Sequence, residues 1–285
     1  MLSYRHAFHA GNPADVLKHL VLNTCLSYLH RKDTPFLYID THAGAGSYTL
    51  DKGYAAANRE WDGGIRSLLA YSQKEGLQLP EDIQKYLSQI QKFRILNGPH
   101  AYPGSPSIAE MQLRHKDKAV LFELHPTDEL LLFERFSKNP QFRIFKQDGY
   151  DHLAALLPPP RRRALILLDP SFEIKDEYER ALTCIQAALR RFATGVYLIW
   201  YPILGRKEDT ELPEQLMKMN SFKRCRLELQ LQPCTDAGRG LAGSGLVIFN
   251  PPWILKASLQ ESLPFLVNAL GTVESNWILE WEDAT

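Results

Sequence analysis

The sequence predicts an α/β protein with a doubly wound, mostly parallel sheet of seven strands, an antiparallel last strand and a helical insertion. Short apolar runs alternate with helical stretches along most of the chain, a pattern typical of parallel strands joined by crossover helices. The last two runs, 224–231 and 245–250, are separated only by a loop rich in glycine and proline. So short a link predicts an antiparallel hairpin at the edge of the sheet.

The composition is that of an ordinary globular protein and excludes collagen-like and disordered chains. Of the 285 residues, 45% are hydrophobic and 23% charged, and 33 Lys and Arg balance 33 Asp and Glu. Zero net charge argues against unspecific coating of nucleic acid. The four cysteines form no C-x-x-C pair, so neither a disulfide framework nor a zinc site is indicated. Because no run could cross a bilayer and no signal-peptide core is present, we expect a cytoplasmic protein with no membrane partner.

The first helix and the first strand are predicted from their boundary residues. Asn12 is a typical N-cap, Pro13 suits the first helical position, and apolar residues then repeat at helical spacing up to about Arg31. The apolar run 36–40 follows, ends in Asp40 and meets a turn of alternating alanine and glycine. This predicts a buried strand that leads into a glycine turn.

Residues 50–100 differ in character from the rest of the chain. They are polar, contain two helical patterns and include no convincing strand. We therefore predict a helical insertion subdomain over 50–100, with 1–49 and 101–285 forming the main domain. After a turn at 102–106 and a short helix, further strands are predicted over 119–124, 142–148, 164–168 and 195–201.

Four of the predicted strands end in an acidic residue: Asp40, Glu123, Asp148 and Asp169. The carboxyl ends of strands are where doubly wound sheets bind ligands. A single carboxylate there commonly caps the next helix, but four at one edge need hydrogen-bond donors to satisfy them. A ligand with an ammonium group, a ribose diol and an exocyclic amine would supply those donors.

The glycine turn at 42–49 allows close approach of the backbone to such a ligand, because glycine lacks a Cβ. A dinucleotide fingerprint would place a third glycine where Thr49 stands, so NAD is disfavoured without being excluded. S-adenosylmethionine fits better, since it has no pyrophosphate. Glu123 would accept from its ribose hydroxyls, and Asp148 with the Gly149 backbone would bind its adenine.

The most specific local motif is Asp169-Pro170-Ser171-Phe172, which follows five apolar residues. It resembles the Asp/Asn-Pro-Pro-aromatic tetrapeptide of amino-methyltransferases that act on exocyclic amines. The Asp169 carboxylate and the Pro170 carbonyl would accept both amine hydrogens, which directs the nitrogen lone pair at the sulfonium methyl. Phe172 would stack on the base, a contact worth about 1–3 kcal/mol. Ser171 replaces the usual second proline, so the rigidity of that proline is lost.

Long blocks over the whole chain carry a more specific resemblance. They are Met1–His6, Phe8–Asn12, Ala14–His19, Tyr38–Gly46, Tyr102–Pro106, Glu123–Pro126, Asp148-Gly149, Trp200–Pro202 and Asn250–Trp253. Together they resemble the bacterial 23S ribosomal RNA adenine-N6 methyltransferases of the J type. The resemblance implies a class I (Rossmann-like) S-adenosylmethionine-dependent methyltransferase fold. It also implies an RNA (adenine-N6)-methyltransferase of EC class 2.1.1 that methylates one adenine of 23S ribosomal RNA.

The same resemblance implies roles for individual residues. Asp169 is the implied catalytic residue. Tyr4 would contact the target adenosine, with His6 and Lys18 supporting the site, and the tetrapeptide motif adds Pro170 and Phe172 to the substrate side. Cofactor binding is carried onto His19, His42, Ser105, Glu123, Asp148, Gly149 and Asp169. We further expect a monomer that needs no metal and acts on an unpaired or extruded adenine, because N6 is buried in a stacked duplex.

Other interpretations of the sequence remain open. The same chemistry on DNA shares the Asp-Pro-x-Phe motif, a catalytically silent RNA-binding protein is suggested by Ser171, and a nicotinamide oxidoreductase is a distant third. Three basic stretches are candidates for phosphate contact, although each is more often a solvated helix end: Arg161–Arg163, Arg190-Arg191 and Lys223-Arg224.

Overall fold

A computed structural model describes residues 5–233 and 240–285. Its strands are β1 Leu37–Asp40, β2 Ser47–Thr49, β3 Ala101–Pro103, β4 Lys118–Phe122, β5 Phe142–Phe145, β6 Ala164–Leu168, β7 Val196–Ile203, β8 Arg224–Gln230, β9 Gly243–Phe249 and β10 Asn276–Glu282. Its α-helices are α1 Pro13–Leu29, α2 Gly53–Asn58, α3 Ile65–Ser72, α4 Glu81–Asn97, α5 Ser105–Glu110, α6 Pro126–Phe136, α7 Gly149–His152, α8 Asp176–Arg191, α9 Lys207–Met217 and α10 Leu255–Leu270.

The main sheet has the strand order β10-β8-β9-β7-β6-β1-β4-β5. Five adjacent strands, in the order β5, β4, β1, β6 and β7, are parallel to one another. The strand β9 lies between β7 and β8 and is antiparallel to both. The predicted mostly parallel sheet with its reversed strand, β9, is therefore confirmed, but the sheet has eight strands and not the seven predicted. An eighth strand, β10, pairs antiparallel with β8 and extends the sheet at this edge.

The strand β10 is half-buried, and no strand was predicted there from the sequence. Trp277 pairs with Leu229 and Trp281 with Cys225, and both tryptophans pack against the core. Trp277 and Trp281 are four residues apart, and this spacing places two side chains on one face of a strand as well as on one face of a helix. The spacing alone therefore does not distinguish the two structures.

The helices α2, α3 and α4 lie within residues 50–100, where helices were predicted. A short antiparallel ladder, β2 with β3, joins the two ends of this segment. Buried residues of the segment, such as Ile83 and Ile90, belong to the same hydrophobic cluster as Val16 and Leu20 of α1. The segment thus extends the main core, and its description as a separate subdomain stays a prediction.

Two hydrophobic clusters fill the two faces of the sheet. One contains side chains of α1, α3, α4 and α10, and the other contains side chains of α8 and α9. Among the described helices, none has both the length and the apolar character needed to cross a membrane. The carboxyl ends of the parallel strands remain at the edge between these two layers.

Candidate active site

Four carboxylates lie at the carboxyl ends of four adjacent parallel strands. Asp169 follows β6, Asp40 ends β1, Glu123 follows β4 and Asp148 comes after β5, and these strands are neighbours in that order. The parallel registers place these ends at one edge of the sheet. The structure therefore brings together the acidic edge that the sequence predicts.

Asp169 is held by a buried lysine from the first helix. The Lys18 Nζ lies 2.5 Å from Asp169 Oδ2 and 2.8 Å from Asp15 Oδ1. Burial raises the pKa of Asp169, although Lys18 acts against this rise. Burial alone would lower the pKa of Lys18, but the two carboxylates raise it above its ordinary value. Lys18 is therefore charged and bridges the two carboxylates.

Asp15 is the centre of this polar cluster, and sequence reasoning assigned it no role at the site. It is 1% exposed, accepts a hydrogen bond from the Gly11 backbone at 2.9 Å, and lies 3.0 Å from His6 Nε2. Burial opposes its charge, but His6 and Lys18 hold the pKa of the Asp15 carboxyl well below its usual value. Asp15 raises the pKa of His6 in turn, against the effect of burial. The spacing of Asp15, Lys18 and His19 on one helix face was a signal that could have found it.

His19 lies deeper in the same cluster and is neutral. Its Nδ1 is 3.0 Å from the hydroxyl of Tyr102, which lies 2.9 Å from the hydroxyl of Tyr86 on α4. Burial lowers the pKa of His19 to about 3, even though Asp15 acts in the opposite direction. The structure thus connects His19 to the helical segment through two tyrosines. The cofactor-binding role of His19 stays a prediction.

The glycine turn is tied to the second acidic strand end. The Gly44 N–H donates to Glu123 Oε2 at 2.7 Å, and the His125 N–H donates to Glu123 Oε1 at 2.7 Å. Burial raises the pKa of Glu123 to about 7. Gly44 has φ +60°, and a Cβ there would lie 2.4 Å from the Tyr48 hydroxyl. Glycine is therefore required by the turn and its packing, before any ligand is considered.

Ser105 and Asp40 form a buried pair behind this turn. The Ser105 hydroxyl and the Tyr38 hydroxyl each donate to Asp40 Oδ2 at 2.7 Å. Burial raises the pKa of Asp40 to about 6, and the two hydroxyl donors oppose this rise. Since the Ser105 hydroxyl already donates to Asp40, a direct contact with a ligand would use its remaining acceptor capacity.

Asp148 and Gly149 lie at the far end of the acidic edge. Asp148 accepts from the Tyr150 backbone at 3.0 Å as the N-cap of α7, and its Oδ2 lies 2.9 Å from Arg180. A Cβ on Gly149 would lie 2.3 Å from the Thr41 carbonyl oxygen, so the two backbones are in close contact. This contact fixes the end of β5 against the end of β1.

His42 completes this end of the site. Its ring packs edge-on against Tyr150 at 4.8 Å between centroids, and its Nδ1 lies 2.8 Å from the Thr41 hydroxyl. Burial lowers the pKa of His42 to about 4, so the ring is neutral. The predicted cofactor contacts of His42, Ser105, Asp148 and Gly149 stay predictions.

Two buried polar atoms beside the acidic edge have no hydrogen-bond partner within the described ranges. They are the His125 Nδ1, next to Glu123, and the Tyr150 hydroxyl, next to His42. Buried polar groups are normally paired, so such atoms suggest a missing partner. With the carboxylates of Glu123 and Asp148, they fit a ligand that carries hydroxyl and amine groups.

A cavity of about 730 Å³ lies next to Asp169. Its lining includes Asp169, Lys18, His6, Trp200 and Arg206. Asp169 thus lines this cavity and is also a member of the acidic edge, so it can contact groups bound at either place. Tyr4, the predicted contact to the target adenosine, lies outside the described residues.

The predicted aromatic of the motif, Phe172, is fully buried in this structure. Its ring packs at 4.4 Å from Tyr178 and 6.2 Å from Trp200, between centroids. Its backbone has φ +51°, which is unusual for a phenylalanine, and its carbonyl accepts from Arg206 Nη1 at 3.1 Å. Pro170 is also buried. The stacking of Phe172 on a base stays a prediction, and it requires the ring to present a face to the cavity.

One of the basic candidates for phosphate contact is corrected by the structure. Arg224 is 6% exposed and donates to the backbone carbonyls of Met217 and Phe222, so it is a structural residue. Arg163 is partly committed in the same way, to the carbonyl of Leu29. In the part of the chain that the structure describes, no group of three or more His, Cys, Asp or Glu side chains is placed to hold a metal ion.

Comparison with known proteins identifies close relatives of this chain. Residues 33–283 match the family model described as ribosomal RNA large subunit methyltransferase D, RlmJ. The ribosomal RNA large subunit methyltransferase J of Escherichia coli is 40% identical over 98% of this chain and 99% of its own length. The protein of the same name from Haemophilus influenzae is 41% identical over 99% of each.

A solved structure also matches over nearly the whole length. It is a protein from Legionella pneumophila strain Philadelphia 1, which is 36% identical. The superposition gives a TM-score of 0.86 and covers 96% of this chain and 98% of that chain. The match covers the main sheet and the helical segment together.

Proposed function

Because this chain belongs to the RlmJ family of ribosomal RNA large subunit methyltransferases, we propose that it transfers a methyl group to N6 of one adenine in 23S ribosomal RNA. The methyl donor is S-adenosylmethionine. The observation that carries the proposal is the position of Asp169. It stands at the first place of an Asp-Pro-x-Phe motif, lines a cavity and belongs to a row of carboxylates.

The acidic edge fits the donor. S-adenosylmethionine supplies a methyl group that is already activated by its sulfonium charge. The Glu123 carboxylate would accept hydrogen bonds from the ribose hydroxyls, and Asp148 with Gly149 would bind the adenine. His19, His42 and Ser105 would complete the pocket. The His125 Nδ1 and the Tyr150 hydroxyl, which have no hydrogen-bond partner among the described residues, would be available to bind the donor.

The cavity would receive the acceptor adenine. Its exocyclic amine is a poor nucleophile, because the nitrogen lone pair is delocalised into the ring. The Asp169 carboxylate and the Pro170 carbonyl would accept the two amine hydrogens and hold the nitrogen in line for displacement. Asp169, whose pKa is raised by burial, is also a base that can take the proton the amine must lose.

Lys18 competes with the substrate for Asp169. In the structure its ammonium occupies Asp169 Oδ2, the position that an amine hydrogen would take. Because Asp15 lies 2.8 Å from the same ammonium, Lys18 keeps a carboxylate partner when it releases Asp169. The cluster of Asp15 and His6 therefore lets Lys18 move without leaving a buried charge unpaired.

We further propose that the enzyme acts as a cytoplasmic monomer, needs no metal ion, and takes an adenine that is unpaired or extruded from its stack. Tyr4, His6 and Phe172 would contact or support that base.

Methyl transfer from labelled S-adenosylmethionine tests the proposal. Protein-free 23S ribosomal RNA should accept label at one adenine, and duplex DNA of mixed sequence should accept none. Preferential labelling of the DNA would support the related DNA enzyme. Binding of RNA with no transfer at saturating donor would support a catalytically silent protein. Mapping of methylated adenines in ribosomal RNA from cells with and without the gene would identify the position.

A further inference from the structure

The loop that carries the catalytic motif lacks the second proline of the Asp/Asn-Pro-Pro-aromatic tetrapeptide, and the residue in its place, Ser171, makes a side-chain hydrogen bond instead. The Ser171 hydroxyl donates to Glu177 Oε2 at 3.0 Å. Glu177 lies in the first turn of α8, and the Ser171 hydroxyl also accepts a hydrogen bond from the Glu173 N–H at 3.4 Å. The Ser171 hydroxyl thus links the segment 171–173 to the Glu177 carboxylate.

The adjacent residue is fixed by two further contacts. The Phe172 backbone has φ +51°, a conformation that costs about 1 kcal/mol or more for a side chain of this kind. It is maintained because the ring is buried against Tyr178 and because Arg206 binds the Phe172 carbonyl at 3.1 Å. Hydrogen bonds with Glu177 and Arg206 therefore restrain Ser171 and Phe172, the two residues that directly follow Asp169 and Pro170.

We propose that Glu177 is a positioning residue of the methyl-acceptor site, which restrains the 169–172 loop through Ser171 as a second proline would restrain it. The proposal rests on the function proposed above. Proline acts by fixing its own φ, whereas here the restraint comes from a side-chain hydrogen bond to the next helix. Glu177 touches neither substrate nor donor in this scheme, and it acts only through the loop.

Steady-state methyl transfer to protein-free 23S ribosomal RNA tests this role. We expect Glu177→Ala and Ser171→Ala each to lower kcat about tenfold, because either change removes the same restraint and an imprecisely held Asp169 misaligns the amine. The KM for S-adenosylmethionine should change less than twofold. Glu177→Gln should retain most of the activity, since its amide oxygen still accepts from Ser171. Glu179→Ala, an exposed carboxylate of the same first turn, is the matched control and should leave kcat unchanged.

The decisive variant is Ser171→Pro. Within the described ranges the Ser171 backbone N–H donates no hydrogen bond, so the proline removes no donor. In the Ser171→Pro protein, Glu177→Ala should lower kcat at most twofold. An equal loss in both backgrounds, or no loss in either, would overturn the proposal.

Hydrogen exchange of the backbone at 171–174 separates this inference from the proposed function. Glu177→Ala should speed exchange there at least tenfold, and Glu179→Ala should not. If the unmodified enzyme transfers no methyl group to the RNA, the proposed function is wrong. If hydrogen exchange at 171–174 is unchanged in Glu177→Ala, only the inference that Glu177 restrains the loop is wrong.

Discussion

Asp169 has to accept hydrogen bonds from a neutral amine in a site where it is already paired with Lys18. We predict that Asp169→Ala lowers methyl transfer at least about 100-fold, because the variant loses the carboxylate that would polarise the amine. The fold should persist, since Lys18 keeps Asp15 as its partner at 2.8 Å. Activity is measured with labelled donor, and folding by the midpoint of thermal unfolding. Substantial transfer by the alanine variant would contradict the mechanism.

Glu123 should make donor binding dependent on pH. Burial raises its pKa to about 7, so the carboxylate is protonated below that pH and ionised above it. The ionised form accepts the ribose hydroxyls, so the affinity should be full above pH 7. It should fall by up to about tenfold for each pH unit below 7. Isothermal titration from pH 5.5 to 8.5 measures this. Glu123→Gln should bind more weakly and without the step, and a step that survives in this variant would assign it to another group.

Asp15 should stabilise the folded protein through its buried interactions. It is almost fully buried with His6 and Lys18 as partners, so Asp15→Asn leaves a buried ammonium with one carboxylate fewer. We expect a loss of about 3 kcal/mol in the free energy of unfolding, measured by urea denaturation at pH 7. Asp62→Asn, which breaks two exposed ion pairs, should cost much less, because solvent screens such pairs. Equal losses in the two variants would mean that Asp15 makes no net buried interaction.

The sequence predicts some of these residues better than others for a physical reason. Asp169 and Glu123 follow apolar runs that can only be buried strands, and the ends of such strands converge at one edge. Asp15 lies in the first turn of a helix, where an acid is favoured by the helix dipole alone. Arg206 acts on the motif from 34 residues away in the chain, so no local pattern reports it. Glu177 is only six residues from Ser171, but an acid in the first turn of a helix is favoured by the helix dipole and so indicates no role at the motif.

At the scale of elements, the helical segment 50–100 is joined to the main core. We predict that Ile90→Ala, at a site 1% exposed, lowers the free energy of unfolding by about 2–4 kcal/mol and shifts one single transition. Ile95→Ala on the same helix α4 is the matched control, because Ile95 is 75% exposed and should change stability by less than about 0.5 kcal/mol. Urea unfolding followed by circular dichroism measures both. A separate early transition in the Ile90→Ala protein would show an independently folding subdomain.

The central strands were predictable because both of their faces are buried, whereas three strands at the periphery or in a short ladder were missed. The segment 164–168 is apolar throughout and was predicted with its observed bounds. By contrast, β10 has only half-buried and exposed positions at the sheet edge, and β2 and β3 are only three residues long. Their pairing depends on partners distant in the chain, which local propensity does not describe.

At the scale of the whole molecule, the proposed donor site joins the ends of strands that carry both hydrophobic clusters. A ligand bound there should stabilise the entire fold, because it binds the native state and not the unfolded chain. At a concentration of 100 times its Kd, S-adenosylmethionine adds about 2.7 kcal/mol. For a chain of this size, that gain should raise the midpoint of thermal unfolding by about 5 °C.

Thermal unfolding with different ligands therefore distinguishes the cofactor classes. S-adenosylmethionine should raise the midpoint, NAD and NADH at the same concentrations should not, and Asp148→Ala should reduce the shift for S-adenosylmethionine. Asp148→Ala removes the carboxylate next to Gly149 and leaves Asp169 in place. The shift in this variant is measured from the variant's own midpoint without ligand. A larger shift with a nicotinamide cofactor would contradict the donor assignment, since the Thr49 position of the glycine turn was the feature that disfavoured a dinucleotide.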